Sequence, residues 1–253
     1  MFKRAIVRTP SPSLIDGITT ASLGLPNYTL ALQQHAAYVA ALKSCGLEVT
    51  TLAPDDRFPD ATFVEDVALL TPRCAIVTRP GAPTRLAEST LIGPVLSHFY
   101  ADIEYIKAPG TVEAGDIMMV GLHFYIGLSA RTNQAGADQV IAILKRYNMS
   151  GSVVPLSEVL HLKTGLSYLE DNQLVVGGEF KTCALFAGFN KIEIDDDEAY
   201  AANCVWINNK VLLPAGFPKA ERALSAAGFD LITVDMSEFQ KIDGGLSCLS
   251  LRF

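Results

Sequence analysis

The chain has 253 residues, 49% of them apolar and 19% charged, which suits a sizeable core and excludes a disordered tail or a coiled coil. Twenty basic against 27 acidic side chains give a net charge of −7, which argues against binding to a nucleic-acid backbone and suits a cationic small molecule. No apolar run reaches the roughly 18 residues of a membrane span, and residues 1–8 lack the apolar stretch of a signal peptide, so a cytoplasmic protein without membrane attachment is expected.

In chain order, the Ile/Val-rich segment 3–8 predicts a strand. Residues 9–27 collect Ser, Thr, Pro and Gly and predict a long loop. Its Leu14, Ile15, Ile18, Leu23 and Leu25 could cover a pocket and its Gly17 and Gly24 could bend, so it reads either as a lid or as a fixed packed loop. A helix follows over 28–44, capped by Asn27 and facing inward through Tyr28, Leu32, Val39 and Leu42, with Gly46 as its stop. Residues 47–52 form a strand, and a helix around 85–99 should be interrupted at Gly93-Pro94. A third helix covers about 133–147 with Ala137, Val140, Ile141 and Leu144 inward, and a fourth starts at Pro218 and closes at Gly228.

Between the helices lie paired strands, 62–71 with 74–79, 116–120 with 123–128, 167–170 with 174–176 and 205–207 with 210–213, and a last strand spans 247–251. Hairpins recurring every 40 to 50 residues give a structural rhythm, read either as an ordinary mixed sheet or as a ring of about five strand-helix units. No linker or composition shift divides the chain, so a single domain over 1–253 is expected.

The five cysteines (Cys45, Cys74, Cys183, Cys204, Cys248) are odd in number and contain no CxxC, which excludes a disulfide framework and a recognisable zinc motif. Most should be buried core residues. Cys248 follows Gly244-Gly245-Leu246-Ser247, a turn whose glycines can aim amides at a ligand; it reads as an activated thiolate or as a core cysteine after a tight turn. A nucleophile needs a proton carrier, and only His35, His98, His123 and His161 exist. Acids stand beside strand-forming runs in 60–66 and 111–116, either as rim residues or as a converging cation site. Asp66, Glu113, His161 and Cys248 follow one another at intervals of 47, 48 and 87 residues, which in a repeated architecture places one residue per unit at a common edge with one unit skipped, the one that holds Asn203-Cys204.

Taken together and in this order, Arg57-Phe58-Pro59-Asp60, Phe63-Val64-Glu65-Asp66, the segment 108–116, His161-Leu162-Lys163-Thr164-Gly165 and the segment 241–248 resemble the guanidino-modifying superfamily of arginine deiminases and amidinotransferases. Within it the likeness is to the bacterial dimethylarginine dimethylaminohydrolases, over essentially the whole chain. The resemblance implies an α/β fold, a five-bladed propeller of pseudo-fivefold strand-helix repeats (the pentein fold), with the active site on its axis. It implies Cys248 as nucleophile and His161 as general acid/base, Asp66 and Glu113 on the guanidinium with Glu65 beside them, and Asp60 with the main chain of Ile18 on the α-amino group. Arg85 and Arg131 match a clamp on the substrate carboxylate, and Ile242 a main-chain contact near the nucleophile.

The implied reaction is hydrolysis of Nω-methylated arginines to citrulline and methylamines through a Cys thiouronium. No metal and no organic cofactor is implied; the partner is the small-molecule substrate, not nucleic acid or membrane, and a homodimer is admissible. At Lys163 deiminases and amidinotransferases of this type carry an Asp, so the lysine favours a methylated substrate unless it merely faces solvent. The competing readings are a deiminase of arginine or another guanidino compound, and a non-catalytic binder of cationic amino acids.

Overall fold

The computed structural model describes residues 1–253. Its strands are Arg4–Arg8 (β1), Glu48–Leu52 (β2), Ala68–Leu70 (β3), Ala75–Val77 (β4), Ile103–Tyr105 (β5), Ile117–Val120 (β6), His123–Leu128 (β7) and Ser150–Pro155 (β8). They continue with Leu166–Tyr168 (β9), Gln173–Val176 (β10), Asn190–Glu193 (β11), Val205–Ile207 (β12), Lys210–Pro214 (β13), Asp230–Val234 (β14) and Leu251–Arg252 (β15). The helices are Tyr28–Ser44 (α1), Ser89–Leu96 (α2), Gln134–Arg146 (α3), Pro218–Ala226 (α4) and the single turn Ser237–Gln240 (α5).

The strands make five three-stranded sheets with one shared plan. In each, a central strand pairs antiparallel with one neighbour and parallel with the other: β4 between β3 and β5, β7 between β6 and β8, β10 between β9 and β11, β13 between β12 and β14. The remaining sheet joins the chain ends, β1 lying antiparallel to β15 and parallel to β2. A parallel neighbour requires a crossover. In four sheets that crossover includes one of α1 to α4, whereas between β10 and β11 it consists of short 3-10 turns over Gly178–Lys181 and Ala184–Phe186. The rhythm of hairpins in the sequence is therefore a real repeat of topology. The parallel third strands β5, β8, β11 and β14 went unpredicted, because each is a short half-exposed segment without a hairpin partner in sequence.

The chain divides into two compact units, one of residues 1–64 and 165–253 and one of residues 65–164. In the first, Val7, Leu14, Tyr38, Leu42, Phe63, Leu212, Phe239 and Leu246 share one core cluster, while Val175, Ala202, Val211, Leu213 and Leu224 belong to another. In the second, Ile76, Val112, Ile117, Phe124, Val140 and Leu144 pack together. Each fully buried Val, Leu, Ile or Phe among them contributes about 1.5–3 kcal/mol by leaving water. No helix is long and apolar enough to cross a membrane.

Helix α1 has the expected bounds, with Asn27 accepting from the Leu30 amide (3.1 Å). Its buried stripe differs from the expected one: Ala31, Gln34, His35, Tyr38, Ala41 and Leu42 face inward, and Tyr28, Leu32 and Val39 are only half-buried. Two polar residues occupy core positions there, which hid the stripe from an apolar pattern. In α3, Ile143 takes the inward place expected for Ile141. Helix α2 starts later than expected and continues through Pro94, the Ser97 amide still reaching the Gly93 carbonyl (3.1 Å). Two expected strands are largely turns: Val64–Val67 and Ser247–Leu249 are 3-10, because side chains and nearby carbonyls take the backbone groups that a ladder would need.

His35 gives the first testable consequence. Burial holds its pKa down at about 4 despite a backbone hydrogen bond at Arg8, and its Nε2 has no hydrogen-bond partner. A depressed base stabilises the fold fully above its unfolded pKa and ceases to as pH falls from about 6.5 towards 4. In urea unfolding the wild type is expected to lose about 2 kcal/mol more than His35→Gln on going from pH 8 to pH 5. The same loss in that variant would assign it to another group.

Candidate functional site

In residues 65–164 six side chains named from the sequence meet in one buried cluster. The 3-10 turn Val64–Val67 presents Glu65 and Asp66 in succession, and Thr78 holds the turn by donating its hydroxyl to the Asp66 carbonyl (2.6 Å). Asp66 Oδ2 accepts from Arg85 Nη1 (2.6 Å), and Asp66 Oδ1 from the Gly115 amide (3.1 Å). Glu113 Oε2 is 2.8 Å from His161 Nε2, and its Oε1 accepts from the Ala82 amide (3.1 Å) and lies 3.8 Å from Arg131 Nη1. Gly115 threads between them: a Cβ there would lie 2.8 Å from Asp66 Oδ1 and 3.1 Å from the His161 ring, so only glycine lets acid and imidazole approach so closely.

The charges follow from this packing. Burial disfavours imidazolium at His161, but the Glu113 hydrogen bond and the charges of Asp66 and Asp116 outweigh it and raise its pKa. Burial likewise opposes the Glu113 carboxylate, and His161, Arg85 and the Ala82 amide overcome it, holding the carboxyl well below its usual range. His161 is accordingly an imidazolium at neutral pH. The carboxylate and imidazole atoms of Asp66, Glu113 and His161 lie within 4.8 Å of one another. That spacing would admit a metal ion, yet a dication would face the Arg85 guanidinium and the charged His161, and a delocalised monocation suits the set better.

Two members behave differently from a free binding surface. Arg85 is buried and spends its fork on Asp66 and, through Nε and Nη2, on Glu88 (2.8 to 3.2 Å). Burial opposes its charge, and the Glu88 and Asp66 carboxylates restore it. Glu88 had one sequence signal, its i,i+3 spacing from Arg85. Lys163 does not simply face solvent: its Nζ is 2.7 Å from Glu65 Oε1, in a largely buried pair. Arg131 makes one long ion pair and keeps 18% of its side chain exposed.

On the carboxylate clamp that the resemblance implies, Arg131→Ala should raise KM for a guanidino amino acid about tenfold or more and matter much less for a guanidine lacking the carboxylate. Arg85→Ala should instead cost about 3–5 kcal/mol of stability, because it leaves Asp66 and Glu88 buried without their cation. Thermal unfolding beside steady-state kinetics separates the two; equal KM effects on both substrates at unchanged stability would contradict the assignment.

The unit of residues 1–64 and 165–253 holds the other named residues. The Ile18 amide donates to Asp60 Oδ1 (3.0 Å), and Asp60 is buried. Beyond it, the Thr19 hydroxyl donates to the Lys241 carbonyl (2.8 Å), and the Thr20 amide and hydroxyl to Asp243 Oδ2 (2.6 and 2.9 Å). The segment is thus pinned at 18–20; Leu14 goes into the core while Leu23 and Leu25 point outward. Ile242 is buried in the same cluster against which Cys248 packs.

Cys248 is half-buried in the 3-10 turn Ser247–Leu249, its Sγ 3.4 Å from the Gly245 amide. Asn203 staples that turn, accepting from the Ser247 amide (3.0 Å) and donating to its hydroxyl (3.1 Å). A Cβ on Gly245 would meet the Asn203 amide at 2.6 Å, and one on Gly244 would run into the Phe63 ring. The skipped unit of the sequence repeat thus supplies the anchor of the cysteine turn, a role that the sequence did not reveal.

No protein-family model matches the chain. It is 57% identical over 254 residues to the N(G),N(G)-dimethylarginine dimethylaminohydrolase of Pseudomonas aeruginosa, covering 100% of both chains. The chain belongs to the dimethylarginine dimethylaminohydrolase family. A Streptomyces coelicolor dimethylarginine dimethylaminohydrolase is 33% identical, with 99% of this chain and 96% of the relative covered. Among solved structures, a cysteine-to-serine variant of the Pseudomonas dimethylarginine dimethylaminohydrolase complexed with citrulline superposes with a TM-score of 0.99 at 56% identity, covering 100% of both chains. The N-terminal domain of ArgZ, a cyanobacterial arginine dihydrolase, shares the fold of the family at a TM-score of 0.89 and 18% identity, over 100% of this chain and 97% of that one.

Proposed function

We propose that the chain hydrolyses Nω-methylated arginines to citrulline and a methylamine through a covalent thiouronium on Cys248. One observation carries the reading: the buried carboxylates of Asp66 and Glu113 surround the His161 imidazole, whose Nε2 lies 2.8 Å from Glu113 Oε2, and their charge raises its pKa. A guanidinium needs that negative charge to bind, and its amine needs a proton to leave. Membership of the family and the citrulline bound by a solved relative support the same reading.

In the proposed reaction Asp66 and Glu113 hold the guanidinium, with Glu65 beside them. Asp60 and the main chain of Ile18 take the α-ammonium, Arg131 the carboxylate, and the main chain of Ile242 a contact near the sulfur, while Arg85 holds Asp66 in place. The Cys248 thiolate attacks the guanidinium carbon to give a tetrahedral adduct. His161 protonates the substituted nitrogen, the C–N bond breaks, and the amine leaves. The neutral imidazole then takes a proton from water, whose oxygen attacks the thiouronium carbon, and collapse breaks the C–S bond to release citrulline. With Nε2 held by Glu113, Nδ1 is the nitrogen that exchanges the proton. His161 regains from water the proton it gave to the amine, and the second water proton, freed from the adduct hydroxyl as the C–S bond breaks, leaves with the amine as an ammonium.

The substrate's methyl groups are favoured by the pairing of Glu65 with Lys163, which neutralises an acid that would otherwise seek the N–H groups of an unmodified guanidinium. The five like-patterned sheets are proposed to close as a five-bladed α/β propeller forming a single catalytic domain over 1–253, and the five free cysteines support a reducing cytoplasm. The test is product analysis. Dimethylarginine should give citrulline and dimethylamine, and arginine far less citrulline with ammonia; the reverse preference would make the chain a deiminase, and binding without product a non-catalytic receptor.

A further inference from the structure

Asp116 is fully buried, is matched to no role by the resemblance, and sits at the junction of two turns that the proposed reaction uses separately. Its Oδ1 accepts from the amide of Leu162, the residue directly after His161 (3.0 Å), and its Oδ2 accepts from the Ser129 hydroxyl (2.7 Å). Ser129 Oγ in turn accepts the amides of Arg131 (2.9 Å) and Thr132 (3.1 Å), which fixes the turn that carries Arg131. The Thr132 hydroxyl accepts the Glu113 amide (3.1 Å) and hydrogen-bonds Asp116. Every route from this carboxylate therefore ends on a named residue of the site: His161 through Leu162, Arg131 through Ser129, Glu113 through Thr132. Gly127 completes the fit, since a Cβ there would lie 3.2 Å from Asp116 Oδ1 and 3.0 Å from the Leu162 Cβ.

We propose that Asp116 is a positioning residue: one buried carboxylate ties the His161 turn to the Arg131 turn and supplies part of the negative charge that His161 faces. The proposal rests on the methylarginine reading for the roles of His161 and Arg131 and extends it to a residue that touches no substrate. Burial is the largest influence on Asp116 and raises its pKa above the usual carboxylate value, while the charge of His161, two hydroxyl donors and the Leu162 amide pull it back toward the charged form. His161 faces three acids in this unit, Glu113 through the hydrogen bond and Asp66 and Asp116 through space, while Arg85 and Arg131 pair with Asp66 and Glu113 and Lys163 with Glu65. Asp116 alone among the three acids around His161 has no cationic side chain paired to it apart from His161 itself.

The experiment is NMR titration of His161 in histidine-labelled protein, wild type against Asp116→Asn, with thermal unfolding alongside. Asn keeps the size and the acceptor for the Leu162 amide and removes the charge. The His161 pKa is expected to fall by about one unit, and the alkaline limb of kcat to move down with it. An unchanged titration in folded protein overturns the charge role, whatever the loss of stability. Should Asp116→Asn fail to fold, Ser129→Ala decides: it leaves the charge and loosens only the Arg131 turn. A several-fold rise in KM for methylarginine, with kcat and the His161 titration nearly unchanged, upholds the tie; an unchanged KM overturns it. Because titration needs no turnover, a wild-type chain inactive on dimethylarginine would sink the functional reading while leaving the Asp116–His161 coupling measurable.

Discussion

Cys248→Ala is expected to lower citrulline release from dimethylarginine by about 10^4-fold or more, as loss of a covalent nucleophile does in enzymes whose other groups act only through it. Cys248→Ser should be nearly as inactive, because a serine hydroxyl is scarcely ionised at neutral pH whereas a thiol is partly thiolate and intrinsically more nucleophilic. Neither change should disturb the turn, since Asn203 holds it through Ser247 and the glycines at 244 and 245 keep their close contacts. Binding of dimethylarginine, followed calorimetrically, should therefore survive in both variants. Wild-type enzyme quenched in acid during turnover should carry an added mass on the peptide containing Cys248, corresponding to the amidino carbon still bound to the substrate's remaining chain. Release of citrulline by Cys248→Ala at a comparable rate would require a mechanism in which water attacks the guanidinium directly, and the covalent scheme would be abandoned.

Residue type and spacing exposed what the repeat enforces. The hairpins β6–β7 and β12–β13 were legible because apolar alternation and two-residue turns are local signals. The same holds for α1 and α3, whose Asn27 and Asn133 caps stand at the head of helical runs. The strands parallel to each central strand were not, since their partners arrive through a crossover and nothing local marks them. Within the site, Asp66, Glu113, His161 and Cys248 could be singled out by near-regular intervals and by the family resemblance. What they are bonded to could not. Arg85 read as a cation for a substrate carboxylate, yet its fork lies on Asp66 and Glu88; Lys163 read as a position of uncertain weight, yet it neutralises Glu65. Such pairings depend on side-chain direction in a buried cluster, a three-dimensional property that sequence order does not carry. Asn203 and Asp116 escaped for the same reason: each acts through hydrogen bonds to main chain more than forty residues away.

The second large effect concerns His161. His161→Gly should lower kcat for dimethylarginine by about 10^3-fold or more, because the imidazole is asked for two proton transfers, one to the departing amine and one from the attacking water. A substrate whose leaving group needs no proton separates the steps. An S-alkyl thiocitrulline, which expels a thiol, should still form the thiouronium on Cys248 in His161→Gly and then stall, so the adduct accumulates and is read directly by mass spectrometry. The pH dependence follows from the sign of the shift. His161 has a pKa raised above its ordinary value, so the imidazolium that protonates the amine is present through neutral pH and is lost as pH climbs through that raised value. Glu113→Gln removes the hydrogen-bonded carboxylate that contributes most to the rise, so the alkaline limb of kcat should move to lower pH and activity at pH 8 should fall more than at pH 6. The amide can still accept from Nε2 through its oxygen, which keeps the ring in place and isolates the charge. If the limb stays where it is in Glu113→Gln, the group that titrates is not His161, and the proton for the leaving amine comes from elsewhere.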